Sequence, residues 1–215
     1  MSIVVSEYQR ALLGLADRTQ RATLVAHDEH LAGNVAEDIA VEVMAEVVNA
    51  AIGAAVGLAD RWLARQIEHA LRRPVPSIGL PPKDHTGRLR KAFRTIFGRR
   101  REQEIDDDES RMQTGRVGHS EPLEAGQRAT TEAMQQHPML QGWVRQFDDD
   151  PCQLCQWWAR DGRIWPADHP MPTHKGCNCS QRIVLAENIK ETLYTKRLHR
   201  EQAPDGTQFP REGEQ

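Results

Sequence analysis

The chain has little with which to fill a large hydrophobic core. Its 215 residues include two tyrosines, four phenylalanines and five tryptophans, so aromatics make up only 5%. With 27% charged residues and a mean hydropathy of −0.65, burial is expected to be modest, and a partner or a metal ion must supply part of the stability. Gly-rich phosphate loops and the G-x-S-x-G hydrolase elbow are absent, which removes two common catalytic signatures. No repeat with a period of about 20–50 residues is present. Residues Met1 to Tyr8 lack the basic start and apolar core of a secretory signal, so reduced thiols in a cytoplasmic setting are the default expectation. The least polar stretch, Val47 to Ala59, has thirteen residues, short of the about 20 that a membrane span needs. No membrane association is expected, and Gly53 and Gly57 are read as a close helix crossing in water.

Net charge is −3, so the whole protein is no polycation that binds nucleic acid indiscriminately. The charge is nevertheless uneven. Lys83 to Glu104 holds eight Lys/Arg against three Asp/Glu, and the acidic run Asp106 to Glu109 follows at once. Within the basic segment, Leu89, Phe93, Ile96 and Phe97 share one helical face. Such a helix docks by that face or contacts phosphates through its basic residues; DNA contact through 83–101 is the corresponding partner expectation.

The first seventy-odd residues read as two helices. Tyr8, Leu12, Leu15 and Leu24 form the stripe of the first, and Gly33 breaks it. Asn34 to Glu37 has the form of a capping box opening a second helix that runs to Arg73, before Pro74 and Pro76. At 1.5 Å per residue it would be roughly 55–60 Å long. With no partner of equal length visible in the sequence, its Ala/Val face, including Ala51 and Ala55, is expected to dock on another protein or another copy of the chain. The Pro-rich run Pro74 to Pro82 reads as a stiff linker. A third helix is expected from Glu121 to Met134, and a short amphipathic turn at Ile189, Leu193, Tyr194 and Leu198 precedes a disordered tail.

All four cysteines fall in one C-terminal stretch: Cys152-Gln-Leu-Cys155, then His174-Lys-Gly-Cys177-Asn-Cys179. A Cys-x2-Cys pair and a His-x2-Cys pair can each clamp a tetrahedral ion from a tight turn, so a structural Zn²⁺ is expected. Five candidate donors compete for four places. Cys152, Cys155, His174 and Cys177 form matching knuckles, and Cys179 could replace His174 or Cys177. Trp157 and Trp158 are expected to pack over the ion and exclude water.

One enzymatic reading competes. His119-Ser-Glu121 followed by Pro151-Cys152-Gln-Leu-Cys155 matches the outline of zinc deaminases, in which a His and two Cys hold a hydrated ion and the Glu shuttles protons. That fold needs a central β-sheet, and no β-branched strand runs precede His119. His174, Cys177 and Cys179 would also be left without a role. His27 and His30, at i, i+3, lack the H-E-x-x-H arrangement of a metalloprotease and read as a solvated helix end.

The ordered set Arg116-Val-Gly-His-Ser-Glu121, the small-residue helix Ala125 to Ala133, Gly142-Trp143-Val-Arg145, Asp150-Pro-Cys-x2-Cys155, Asp161-Gly162-Arg-Ile-Trp165 and His174-x2-Cys-Asn-Cys179 resembles the C-terminal module of the Mu F-type minor head proteins of tailed bacteriophages, especially the actinobacterial-phage variety. The resemblance covers about a third of the chain. It departs from the family pattern at Ser120, where Thr is usual, at Lys175, where Pro follows the His, and at Asn178, where Arg separates the last cysteines. The resemblance implies a virion component at the head interior or portal vertex, bound to the portal or major capsid protein and acting in head morphogenesis or genome packaging and delivery. Some relatives carry a capsid maturation protease label, but this chain shows no protease constellation.

The expected architecture is therefore mainly α, with long N-terminal helices for docking or oligomerisation (1–73), a Pro-rich and basic/acidic linker (74–110), a small zinc-stabilised α+β module (111–187) and a tail (188–215). No catalytic residue is expected, with deaminase and maturation protease as the alternatives.

Overall fold

The computed structural model describes residues 2–137 and 140–185, and the expected amphipathic turn and tail lie outside them. The chain is mainly helical, with a small antiparallel sheet near its C-terminal end. Four long helices come first: α1 (Ile3–Leu31), α2 (Glu37–Leu71), α3 (Thr86–Arg101) and α4 (Asp107–Gln136). Then follow β1 (Gly142–Gln146), the short α5 (Gln153–Ala159), a 3-10 turn at Arg160–Gly162, β2 (Trp165–Pro166) and β3 (Ser180–Val184).

Scarcity of aromatics is met by bringing helix backbones together. Gly115, Gly118 and Gly126 of α4 face α1, where an added Cβ at Gly126 would lie 2.7 Å from the Tyr8 hydroxyl and 2.9 Å from Leu12 Cδ2. At Gly118 it would collide with Thr23 Oγ1 and come within 3.1 Å of the Gln20 Cα, which is main chain and cannot swing aside. Small side chains thus replace bulky ones as the source of contact.

The second helix does not lack intramolecular partners. The 29-residue α1 and the 30-residue α4 both pack along α2, with α3 beside them. Ala51 and Ala55 are buried among these helices, so the face proposed for docking is already covered within the chain. Length and composition alone would let α2 cross a bilayer, but Val41, Met44, Val48, Ile52, Leu63 and Ile67 point into the bundle core. Its N-terminus also differs from the capping-box expectation. Ala36 occupies the cap, and the Asn34 amide donates to Glu29 Oε2 at 2.8 Å. The Asn34 side chain closes the α1–α2 turn instead of capping α2.

The segment 74–110 is not a free linker along its length. The buried Asp60 carboxylate of α2 accepts from the amides of Ile78, Gly79 and Leu80 at 2.8, 2.7 and 3.1 Å, pinning the Pro-rich run to the bundle. Asn49 Oδ1 accepts from His85 N at 2.9 Å. Leu89, Phe93, Ile96 and Phe97 of α3 then enter the same core as α1, α2 and α4. The aromatic face docks, as its spacing indicated. Beyond it His27 is buried, not solvated. Its Nε2 lies 3.0 Å from Ser110 Oγ, and its ring stacks on Phe97 at 5.5 Å, while His30 packs on the same ring at 4.7 Å.

The acidic run is a helix start. Asp106 Oδ1 accepts from Glu109 N at 2.8 Å, and Asp107, Asp108 and Glu109 occupy the first turn of α4, where negative charge suits the helix dipole. The helix expected to begin at Glu121 therefore begins fourteen residues earlier, at Asp107, and continues through Pro122. Proline ordinarily marks an N-terminus. Here both halves of α4 are held against α1 by the glycine contacts, which compensates for the missing amide.

Gly118→Ala is expected to destabilise the fold by about 1–3 kcal/mol through overpacking, measured as a lowered urea midpoint. Gly57→Ala, where the added methyl meets only the mobile end of Arg61, should be neutral or stabilise by up to about 1 kcal/mol. Equal effects at the two positions would show that the α1–α4 approach is not tight.

Candidate metal centre

The cysteine knuckles sit beside the sheet, whose strand order is β2-β1-β3. Trp143 of β1 lies opposite Trp165 on one side and Ile183 on the other. Its indole N–H donates to His169 O at 3.0 Å, and its side chain anchors the sheet in the main core.

The first knuckle forms where Cys152 caps α5. Its backbone is extended, the helix begins at the next residue, and the amides of Cys155 and Leu154 turn toward the Cys152 sulfur. Those amides, that of Cys155 foremost, hold the Cys152 thiol below its ordinary value and favour the thiolate. The second knuckle is a turn in which Cys177 N donates to His174 O at 3.1 Å, with Gly176 at φ +78°. That left-handed backbone suits glycine.

The turns converge. Cys152 Sγ lies 3.0 Å and Cys155 Sγ 3.3 Å from His174 Nε2, and Cys155 Sγ lies 3.5 Å from Cys177 Sγ. Cys152, Cys155 and His174 form one group with mutual distances within 4.8 Å, and Cys155, Cys177 and Cys179 form another. The five expected donors thus fall into two adjoining groups that share Cys155. Soft thiolates with an imidazole suit zinc, and an ion with sulfurs about 2.3 Å away would set S···S edges near 3.8 Å. The donor set fits such an ion. His174 Nδ1 is already engaged with Lys175 O at 3.1 Å, which leaves Nε2 to coordinate.

Charge is distributed unevenly over the thiols. Burial, and then the neighbouring Cys177, push Cys155 up to about 12. Cys177 is drawn down to about 5, first by the hydrogen bond from the Cys179 thiol. Cys179 is pushed up by donating that bond and by burial. Burial lowers His174, but the Lys175 carbonyl and the nearby Cys177 and Cys152 sulfurs outweigh it, and the net shift is upward.

Several supporting residues escaped the sequence reading. Gln127 of α4 donates to Cys177 O at 2.7 Å and Cys179 O at 3.2 Å. Gln9 of α1 donates to Gln146 O, Phe147 O and Asn178 O at 3.1–3.2 Å, and the Asn178 amide returns a bond to Gln9 O at 2.9 Å. Asp148 Oδ2 accepts from Asn178 N at 3.1 Å. Arg145 Nη1 lies 3.7 Å from Cys155 Sγ, and its guanidinium stacks over Trp158 at 5.5 Å. Glutamines inside the apolar stripes of α1 and α4 were the available signal, because a buried amide needs partners.

Two expectations about the site are corrected. Trp158 lies beside His174, with ring centroids 6.1 Å apart, but Trp157 is 60% exposed and does not cover the centre. The seven-residue α5 turns successive indoles to different faces. The deaminase arrangement is not assembled. His119 Nε2 faces Asp17 at 3.3 Å, and Glu121 takes a bidentate pair from Arg88 at 2.7 and 2.8 Å. Both side chains bridge helices, and neither joins the groups of potential ligands.

Comparison of the chain with protein-family models, with curated proteins and with solved structures finds no match.

Gln127→Ala leaves two buried carbonyls without their donor, a loss of about 1–3 kcal/mol. Hydrogen exchange should quicken across 174–184 with the α2 core unchanged; unchanged exchange at 174–184 would show that Gln127 does not brace the knuckle.

Proposed function

We propose that this chain is a non-catalytic structural protein of a tailed-bacteriophage head, of the Mu F minor head type, in which one zinc ion locks the C-terminal knuckles onto a helical bundle. The observation carrying the structural part is the convergence of Cys152, Cys155, His174, Cys177 and Cys179 on one cluster, while His119 and Glu121 are tied up between helices. The virion part rests on the ordered motifs from Arg116 to Val184. On this reading the protein sits at the head interior or portal vertex after assembly in the host cytoplasm.

The ion would supply cross-linking alone: it joins two turns that have too little apolar surface to pack by themselves. Cys155, Cys177 and Cys179 form a small buried cluster, with Phe147 against it, apart from the main core. Segment 83–101 is assigned to the fold and not to DNA. Arg88 pairs with Glu121, Arg90 with Glu42, Arg99 with Glu104, Arg100 with Asp107 and Arg101 with Glu37, which reduces the charge available to phosphates.

Protein purified under reducing conditions should contain about one zinc per chain, and a content below about 0.2 equivalents would overturn the metal reading. Chelation should abolish exchange protection across the knuckles, 148–162 and 174–179, and leave the sheet and most helical circular dichroism, because the α1–α4 core that anchors the sheet contains none of the five donors. Zinc affinity should fall as pH drops, since protons compete for the thiolates and the imidazole.

Co-expressed with the portal and major capsid proteins of its phage, the tagged chain should be captured with the portal or in assembled heads. Its absence from both, with zinc content intact, would overturn the virion assignment and leave the metal centre standing.

A further inference from the structure

We propose that the ion is held by Cys152, Cys155, His174 and Cys177, and that Cys179 is a buried non-ligand packed beside them. This inference rests on the metal-centre reading above and deepens it.

Turn geometry separates the two candidates. Cys177 closes the His174 turn through its own amide, and Cys152 and Cys155 stand at the head of α5, so each knuckle presents two donors three residues apart. Cys179 lies beyond that turn, at the threshold of β3. The Cys177 sulfur is 3.5 Å from Cys155, and Cys155 in turn is 3.3 Å from the imidazole that also meets Cys152. Cys179 also lies within 4.8 Å of Cys155 and Cys177, so the turn, and not proximity alone, decides between the two.

The backbone holds this arrangement in place. Gln127 grips the carbonyls of both Cys177 and Cys179, and Asn178 between them is tied to Gln9 and Asp148. Exchanging one sulfur for the other at the ion would require rotating a segment fixed from three sides. Cys179 is fully buried, at 0% exposure, whereas Cys152 is exposed at the rim. Packed with Cys155, Cys177 and Phe147 in one buried cluster, Cys179 would shield the knuckle from water without meeting the ion.

Charge balance points the same way. A divalent ion with three thiolates and a neutral imidazole carries a single negative charge, and the Arg145 guanidinium lies 3.7 Å from the Cys155 sulfur to offset it. Replacing the imidazole with a fourth thiolate would double that negative charge at a largely buried site, which is costly without a second cation.

The test compares Cys179→Ala, Cys179→Ser, Cys177→Ala and His174→Ala in the full chain, each loaded with zinc and, separately, with cobalt. Both Cys179 variants should retain about one equivalent and keep three-sulfur, one-nitrogen coordination in the cobalt absorption and X-ray absorption spectra, but pass zinc to a chromogenic chelator at least about tenfold faster. Cys177→Ala and His174→Ala should lose stoichiometric binding. Cys179→Ser keeps the shape of the side chain, so a folding defect confined to the alanine variant is recognised by circular dichroism. Loss of zinc from both folded Cys179 variants, full retention by Cys177→Ala, or four-sulfur coordination in the unsubstituted protein would overturn the assignment. Unsubstituted protein that binds no zinc would overturn the metal-centre reading beneath it, a distinct result.

Discussion

A chain with so few aromatic side chains can make a core only by bringing its helices unusually close, and the contact between α1 and α4 is where it does so. Gly118 and Gly126 give the main chain of α4 direct access to Gln20, Thr23, Tyr8 and Leu12 of α1. Once these helices are fixed, α2 fills the groove beside both with alanine, valine and isoleucine. The aromatic face of α3 then closes the far side. Dispersion scales with the number of close atom pairs, so a tight approach of small residues can match looser packing of large ones.

The same pair of helices builds the platform for the C-terminal module. Gln9 of α1 and Gln127 of α4 direct their amides at the carbonyls of residues 146–147 and 177–179, where the chain leaves β1 and approaches β3. Those carbonyls would otherwise be buried without donors in a region too small to form longer strands, at a cost comparable to several lost hydrogen bonds. The knuckles are therefore oriented by polar contacts, and the proposed ion would only join turns already facing each other.

Much of this was legible in the residues, for physical reasons that differ by segment. The knuckles were visible because tetrahedral coordination demands donors at fixed short spacings, and the donors are rare residue types. The docking face of α3 was visible because Leu89, Phe93, Ile96 and Phe97 repeat at helical spacing. The partners of α2 were not visible, since α4 is broken in sequence by glycines and by Pro122, each of which ordinarily weakens a helix. Only the tertiary contact shows that the glycines serve packing. His27 and Asp60 were missed for a related reason. A polar residue near a helix end, His27, and one inside a helix, Asp60, gain their roles from segments distant in sequence, Ser110 and the amides of residues 78–80.

The coupling between the two halves follows from what joins them. The main core includes Trp143 of the sheet, whereas the thiols form a separate cluster with Phe147. Apolar burial thus ties the sheet to the bundle regardless of the ion. The knuckles connect to it chiefly through the glutamine and asparagine hydrogen bonds, each contributing about 1 kcal/mol net. Such a link is strong enough to orient a metal-bound knuckle and too weak to order the loops alone, since fixing each residue costs about 1–2 kcal/mol of backbone entropy. On the proposed reading, coordination energy would supply the difference. A metal ion bound there would then make rigid two turns that α1 and α4 already orient through Gln9 and Gln127.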